Sequence, residues 1–87
     1  MPDDIMFQQA LEALRSGQRT RSRDLLTRLL RMDQSNPQYW LWLSAAVETP
    51  KEQIFCLQSA LRLDPDDPTI RQGLTILGAL PADPTTQ

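Results

Sequence analysis

Cys56 is the residue of this 87-residue chain best suited to nucleophilic chemistry, because a deprotonated thiol is a strong nucleophile. The chain contains no histidine, so no imidazole is present to activate the thiol or to act as a general base near neutral pH. Cys56 lies beside Leu57 at an inward position of an apolar helical pattern, which favours a small buried hydrophobic residue. The chain has three glycines, and they are too dispersed to form a phosphate-binding loop. We therefore expect no enzymatic activity, no small-molecule substrate, no cofactor and no metal site.

The carboxylates gather where helices are expected to begin. Asp3 and Asp4 lie near the N-terminus, and Asp66 and Asp67 precede a late helical segment. A carboxylate at a helix N-cap accepts backbone hydrogen bonds and is stabilised by the helix dipole. Helix capping therefore explains these acids without an acid–base pair.

The arginines are concentrated in one part of the chain. Six arginines and two aspartates lie between residues 15 and 33, although the whole chain has a net charge of −2. Arg21, Arg28 and Arg31 form a candidate basic patch for nucleic acid or an acidic partner. Asp24 lies one helical turn before Arg28 and can pair with it, which favours a solvated helix face. Nucleic-acid binding is accordingly the less favoured alternative.

Two tryptophans lie close together in the third apolar segment. Trp40 and Trp42 are separated by about 200° around a helix axis, so they cannot share one environment. Trp40 falls on the packing face and is predicted to be a core residue. Trp42 has two interpretations: an exposed contact for a partner, or filling between helix three and helix one or five.

These side chains must be positioned by helices, because apolar residues recur at helical spacing and no strand-like alternation is present. A capping residue followed by proline marks three helix starts, at Asn36, Thr49 and Asp67. Glu52 completes the pattern of a capping box with Thr49, and Gly17 marks the end of the first helix. The sequence predicts an all-α fold of about five helices. The first helix is predicted to be capped by Asp3 or Asp4. The other four are predicted over about 19–32, 37–47, 50–63 and 68–77.

The chain also repeats itself. Residues 29–33 reappear as residues 60–64 at an offset of 31, and the turns that follow keep the same step. The first helices of the two halves align at an offset of 34, so the second half has a shorter inner turn. The predicted organisation is unit one, 3–36; unit two, 37–67; a capping helix, 68–79; and a polar, proline-rich tail or linker, 80–87.

This pattern resembles the tetratricopeptide repeat, a helix–turn–helix unit of about 34 residues. In unit two the matching residues are Trp40, Leu43, Ser44, Val47, Leu57, Ala60 and Asp64-Pro65. In unit one Ala10, Ala13, Gly17, Leu26 and Asp33 match, whereas Met6, Ser22 and Gln34 depart from the family pattern. The run from Trp40 to Ser44 is similar to a degenerate version found in short bacterial domains. The resemblance implies a right-handed superhelix of antiparallel helical hairpins.

The resemblance also implies a function, because in this family the first helices of successive units line a concave groove that holds a peptide or protein segment. The groove positions carried over to this chain are Phe7, Leu11, Arg15, Gln38, Leu41, Trp42 and Ala45, with Thr69, Gln72 and Ile76 on helix five. Family members that clamp a terminal carboxylate use lysine and asparagine at these sites, so no such clamp is expected here. The implied function is a protein-interaction or scaffold module. The alternative is self-association, as a homodimer through the Ile5-Met6-Phe7 edge, or a spacer role in a larger protein.

The N-terminus does not have the pattern of an export signal. Asp3 and Asp4 stand where such a signal carries lysine or arginine, and no apolar run of about 20 residues occurs anywhere in the chain. The sequence therefore predicts a cytoplasmic protein with no membrane partner in this segment.

Overall fold

The computed structural model describes residues 2–79, and side chains from Asp4 onward. This part of the chain forms five helices and no strand, which confirms the all-α class. No helix within it is both long and apolar enough to cross a membrane. The predicted tail or linker, 80–87, lies outside the described residues. The helices are α1 (Pro2–Arg15), α2 (Arg19–Met32), α3 (Pro37–Ala46), α4 (Pro50–Leu63) and α5 (Pro68–Ile76).

The helix starts at Pro37 and Pro68 are capped by the predicted side chains. Asn36 Oδ1 accepts a hydrogen bond of 2.9 Å from the backbone N–H of Gln38. Asp67 Oδ1 accepts from the N–H groups of Thr69 and Ile70, at 2.8 and 3.4 Å. These bonds satisfy N–H groups that have no partner within the helix, and proline at the first position removes another.

The start of α4 contains half of the predicted capping box. Thr49 Oγ1 accepts from the backbone N–H of Glu52 at 3.2 Å, as expected. The Glu52 carboxylate does not return to the backbone of Thr49 but accepts from its hydroxyl at 2.9 Å. Glu52 is thereby held at the N-terminus of α4, where the helix dipole favours negative charge.

The predicted N-cap of α1 is wrong. The helix begins at Pro2, so the backbones of Asp3 and Asp4 lie within its first turn rather than before it. Proline is well suited to this first position because its missing N–H would have no helical partner. The other end is as predicted: Gly17 has a φ of +80°, the left-handed conformation that glycine adopts without strain.

The internal repeat is visible in the ends of α2 and α4. Asp33 follows α2 and donates its N–H to the carbonyl of Leu29 at 2.9 Å. Asp64 follows α4 and donates to the carbonyl of Ala60 at the same distance. The two C-caps are therefore 31 residues apart and share one hydrogen-bonding pattern.

The turns that follow α2 and α4 are held by equivalent side-chain hydrogen bonds. The Trp40 indole N–H donates to the carbonyl of Gln34 at 3.1 Å, and the Arg71 guanidinium donates to the carbonyl of Pro65 at 3.4 Å. Each donor lies six residues after its acceptor, and the two pairs are again 31 residues apart. Each bond fixes the turn to the start of the next helix.

The helices pack mainly against their neighbours in the chain. α1 packs on α2 and α3 on α4, while α3 also contacts α1 and α2, and α5 covers α4. The resulting array is elongated, with extents of 45 × 24 × 17 Å. Gly73 allows close approach of α5, since a Cβ there would lie 3.1 Å from Leu57 Cδ1.

The apolar core consists of two clusters. The first lies among α1, α2, α3 and α4, and the second joins α4 to α5. Trp40 packs against both clusters, so it connects the two parts of the core. The first cluster contains Ala10, Leu25, Leu26, Leu29, Leu30, Tyr39, Leu43, Ala46, Val47 and Cys56; the second contains Leu57, Ala60, Ile70 and Leu74.

Ser22, one of the positions that departs from the repeat pattern, is fully buried, and its hydroxyl has no hydrogen-bond partner. Leaving a buried hydroxyl unpaired is unfavourable, and alanine is the better helix former. We expect Ser22→Ala to raise the free energy of unfolding by ~1 kcal/mol, and the Tm by about 4–8 °C in a thermal melt.

Ser59→Ala is the matched control. Ser59 is also buried, but its hydroxyl donates to the carbonyl of Phe55 at 2.9 Å. Its removal should therefore give no stabilisation. A Ser22→Ala chain no more stable than Ser59→Ala would contradict the assignment of an unpaired hydroxyl.

Candidate partner-binding surfaces

The predicted groove residues of α1 contribute mainly to packing. Phe7 and Leu11 are half-buried, and the Phe7 ring lies 5.3 Å from that of Tyr39 at an angle of 59°. This contact joins α1 to α3. Arg15 is exposed and forms an ion pair of 3.8 Å with Glu12, also exposed, which contributes little to stability.

The predicted groove residues of α3 are more accessible. Gln38, Trp42 and Ala45 lie on one exposed side of the helix, which we call the α3 face, and Trp42 is 36% exposed. Leu41 is half-buried beside them and packs against the second cluster. Trp42 therefore buries most of its surface within the domain but leaves part of the indole for another molecule.

The predicted contributions of α5 are also exposed. Thr69 and Gln72 are open to solvent, and Ile76 is 76% exposed. Ile76 therefore leaves apolar surface that another molecule can bury.

The sequence predicted Trp40 to be a core residue, but the structure does not bury it fully. It is half-buried, although it packs against both core clusters. Its ring meets that of Phe55 edge to face, with centroids 5.9 Å apart and an angle of 78°. The reason is that α2 and α4 both pack on α3 but leave an open groove between them, with Trp40 in its floor.

This α2–α4 groove is an apolar hollow of about 400 Å³ that continues past Trp40 and Leu43 into a second hollow of about 300 Å³. Phe55 lines it and is 57% exposed. Phe55 was not among the residues predicted to bind a partner, because periodicity alone does not show that it borders an open groove. The other lining residues are Arg23, Val47, Lys51, Glu52 and Cys56 in the first part and Thr27, Leu30, Arg31 and Gln34 in the second.

The charges at this groove are mostly unpaired. Among the residues that the structure describes, one ion pair lies within 4.0 Å, between Arg15 and Glu12. Arg23, Arg31 and Lys51 therefore form no ion pair with a described residue. Of the lining residues within 2–79, Glu52 is the one carboxylate, and it accepts the hydrogen bond from Thr49. The groove therefore combines an apolar floor with an excess of positive charge.

The candidate basic patch is divided between two surfaces. Arg21 and Arg28 are exposed around a separate hollow that also includes Asp24, whereas Arg31 lines the α2–α4 groove. Asp24 does not form the expected ion pair with Arg28 within 4.0 Å in the described structure. The carboxylate nevertheless lies between the two arginines and reduces the positive charge there.

Cys56 is buried, as the sequence predicted. Burial, with a smaller contribution from the negative charge of Glu52, raises the pKa of the Cys56 thiol to about 11. The thiol is therefore protonated at neutral pH. Among residues 2–79, no group of three or more histidine, cysteine or acidic side chains is arranged to hold a metal ion.

The raised pKa predicts a pH dependence of stability. In the unfolded chain the thiol loses its proton near its ordinary pKa of 9.0, whereas in the folded chain it keeps it until about 11. The folded state then binds more protons, so its stability falls as pH rises through this interval. In urea titrations, the wild type should lose stability between about pH 9 and pH 11 more steeply than Cys56→Ala. Equal slopes would contradict the pKa shift.

The two surfaces lie on opposite sides of α3. Trp42 belongs to the α3 face and Trp40 to the α2–α4 groove, and two residues correspond to about 200° of helix.

Comparison of the chain with protein-family models, with curated proteins and with solved structures finds no match.

Proposed function

We propose that this domain is a protein-interaction module that binds a segment of a partner protein along the α3 face. The observation that carries the proposal is the exposure of Trp42, in a helix whose other large apolar side chains are better covered. A partly exposed indole gives a partner a large, rigid apolar contact at low entropic cost.

We further propose that the helical hairpins stack as in tetratricopeptide repeats, in a right-handed superhelix with α1, α3 and α5 side by side. The contact of α1 with α3 and the repeated C-caps at Asp33 and Asp64 support this arrangement. Gln38 and Ala45 then flank Trp42 along the bound segment, and Ile76 extends the apolar surface at α5. Binding depends on apolar burial, supplemented by hydrogen bonds from Gln38.

Affinity capture tests the proposal. Wild type, Trp42→Ala and Met32→Ala chains are used as bait in a nuclease-treated lysate of the source organism, and captured proteins are quantified by mass spectrometry. Met32 is the matched control, because it is a large exposed apolar residue at the end of α2. We expect a protein that wild type and Met32→Ala enrich equally and that Trp42→Ala loses at least ~10-fold. Equal capture by all three chains, or capture by none, would contradict the proposal.

Self-association is a second candidate, favoured by one observation. Ile5 on the first helix is 61% exposed, and Ile76 on the last helix is also open, so both ends of the array present apolar side chains. Repeat arrays bury such ends against caps or against another chain. Light scattering over an about hundredfold dilution would detect a dimer, which Ile5→Glu should dissociate. A constant monomer mass would exclude it.

A further inference from the structure

The α2–α4 groove is not used by the proposed function, because it lies across α3 from Trp42. Its floor is apolar, formed by Trp40, Leu43 and Val47, and Phe55 stands at its side with more than half of its surface exposed. An exposed aromatic ring beside an open apolar hollow offers a partner a large apolar contact. The volume of the first hollow, about 400 Å³, lies within the usual range of binding pockets.

The charges of the groove indicate what kind of molecule fits. Arg23 and Arg31 line one wall, eight residues apart on α2 and thus about 12 Å apart along its axis. Lys51 lines the opposite side. None of the three forms an ion pair with a described residue, and Glu52 is occupied at the cap of α4. An occupant must therefore be apolar at its centre and negatively charged along its edges.

We propose that the α2–α4 groove binds an acidic amphipathic segment of a partner protein. One large apolar side chain of the segment inserts beside Phe55 and covers Trp40. Its carboxylates pair with Arg23, Arg31 and Lys51. The open, two-part shape of the groove suits a helix that lays one apolar stripe along it, with anchors one or two turns apart.

The two parts of the occupant have different effects. Burial of apolar surface against Phe55 and Trp40 supplies most of the affinity. The carboxylates select the partner and accelerate association, and because the cations are exposed, their effect decreases as salt screens them. Binding should therefore be specific for acidic segments and weaker at high ionic strength.

The experiment uses the full chain carrying Trp42→Phe, so that Trp40 is its one tryptophan and its fluorescence reports on the groove. The probe is a synthetic amphipathic peptide of about 15 residues with leucine and phenylalanine on one stripe and glutamate beside it. A second peptide has lysine in place of every glutamate. Because Trp42→Phe changes the α3 face and leaves the α2–α4 groove unchanged, the result of this test does not depend on whether the proposed function is correct.

We expect the glutamate peptide to change the Trp40 fluorescence in a saturable manner. Phe55→Ala and Arg23→Glu should each weaken its binding at least ~10-fold, and both residues are exposed, so the variants should fold. Arg21→Glu is the matched control, since Arg21 lies on another side of α2 and should leave affinity unchanged. Equal binding of the lysine peptide, an Arg21→Glu effect as large as that of Arg23→Glu, or no saturation by about 1 mM peptide would overturn the proposal.

Discussion

Replacement of Leu29 by alanine is expected to lower the free energy of unfolding by about 3–5 kcal/mol. Leu29 is fully buried in the first core cluster, so the substitution removes apolar contacts and leaves a cavity. A domain of this length has a total stability of only about 4–13 kcal/mol. The substitution therefore removes at least about a quarter of the total stability, and urea titration followed by circular dichroism should show a clearly lower transition midpoint.

Met32→Ala is the control for this experiment. Met32 lies three residues further along α2 but is mostly exposed, so its loss should change stability by less than ~0.5 kcal/mol. Comparable losses from the two substitutions would mean that the first cluster does not hold α2 in place as described.

The second large effect is expected from Trp40→Ala. The Trp40 ring packs against both core clusters and against Phe55, and its N–H fixes the turn at Gln34. Because Trp40 is better covered than Trp42 but not fully buried, we expect a loss of ~3 kcal/mol, at the lower end of the range for large aromatic residues. Since Trp40 connects the two clusters, its removal should also make unfolding less cooperative. Native-state hydrogen exchange should then show α5 opening separately from α1 and α2.

Trp42→Ala is the matched comparison, as it removes the same side chain two residues away. The domain should lose less than with Trp40→Ala, about 1–2 kcal/mol, because 36% of Trp42 is already in solvent and the described structure gives its N–H no hydrogen-bond partner. The loss in free energy of unfolding caused by Trp40→Phe should lie between these two values, since the variant keeps a ring but loses the hydrogen bond to Gln34. Equal destabilisation by Trp40→Ala and Trp42→Ala would contradict the described packing of Trp40.

The helix ends could be predicted because they depend on local chemistry. Asn36, Thr49 and Asp67 each precede a proline and accept backbone hydrogen bonds within three residues, so no distant contact is needed to define these starts. The N-cap prediction for Asp3 or Asp4, neither of which precedes a proline, was wrong because Pro2 takes the first helical position. Where adjacent residues can all begin a helix, local propensity does not choose between them.

The surfaces were harder to predict because they depend on how helices fit together. Helical spacing correctly assigned Trp40 to the packing side of α3, but it does not tell how completely α2 and α4 cover that side. Their separation depends on the angles and distances at which the helices pack. The exposure of Phe55 and the groove beside it follow from that separation, so neither could be deduced from periodicity alone.

The central claim, that the α3 face contacts another protein, is tested most directly by site-specific photo-crosslinking in cells. A photoreactive amino acid is placed at position 42, and in a second chain at position 21, where Arg21 belongs to the candidate nucleic-acid surface. The account predicts a crosslinked protein product from position 42 and none above background from position 21. No product from position 42, or products only from position 21, would contradict it.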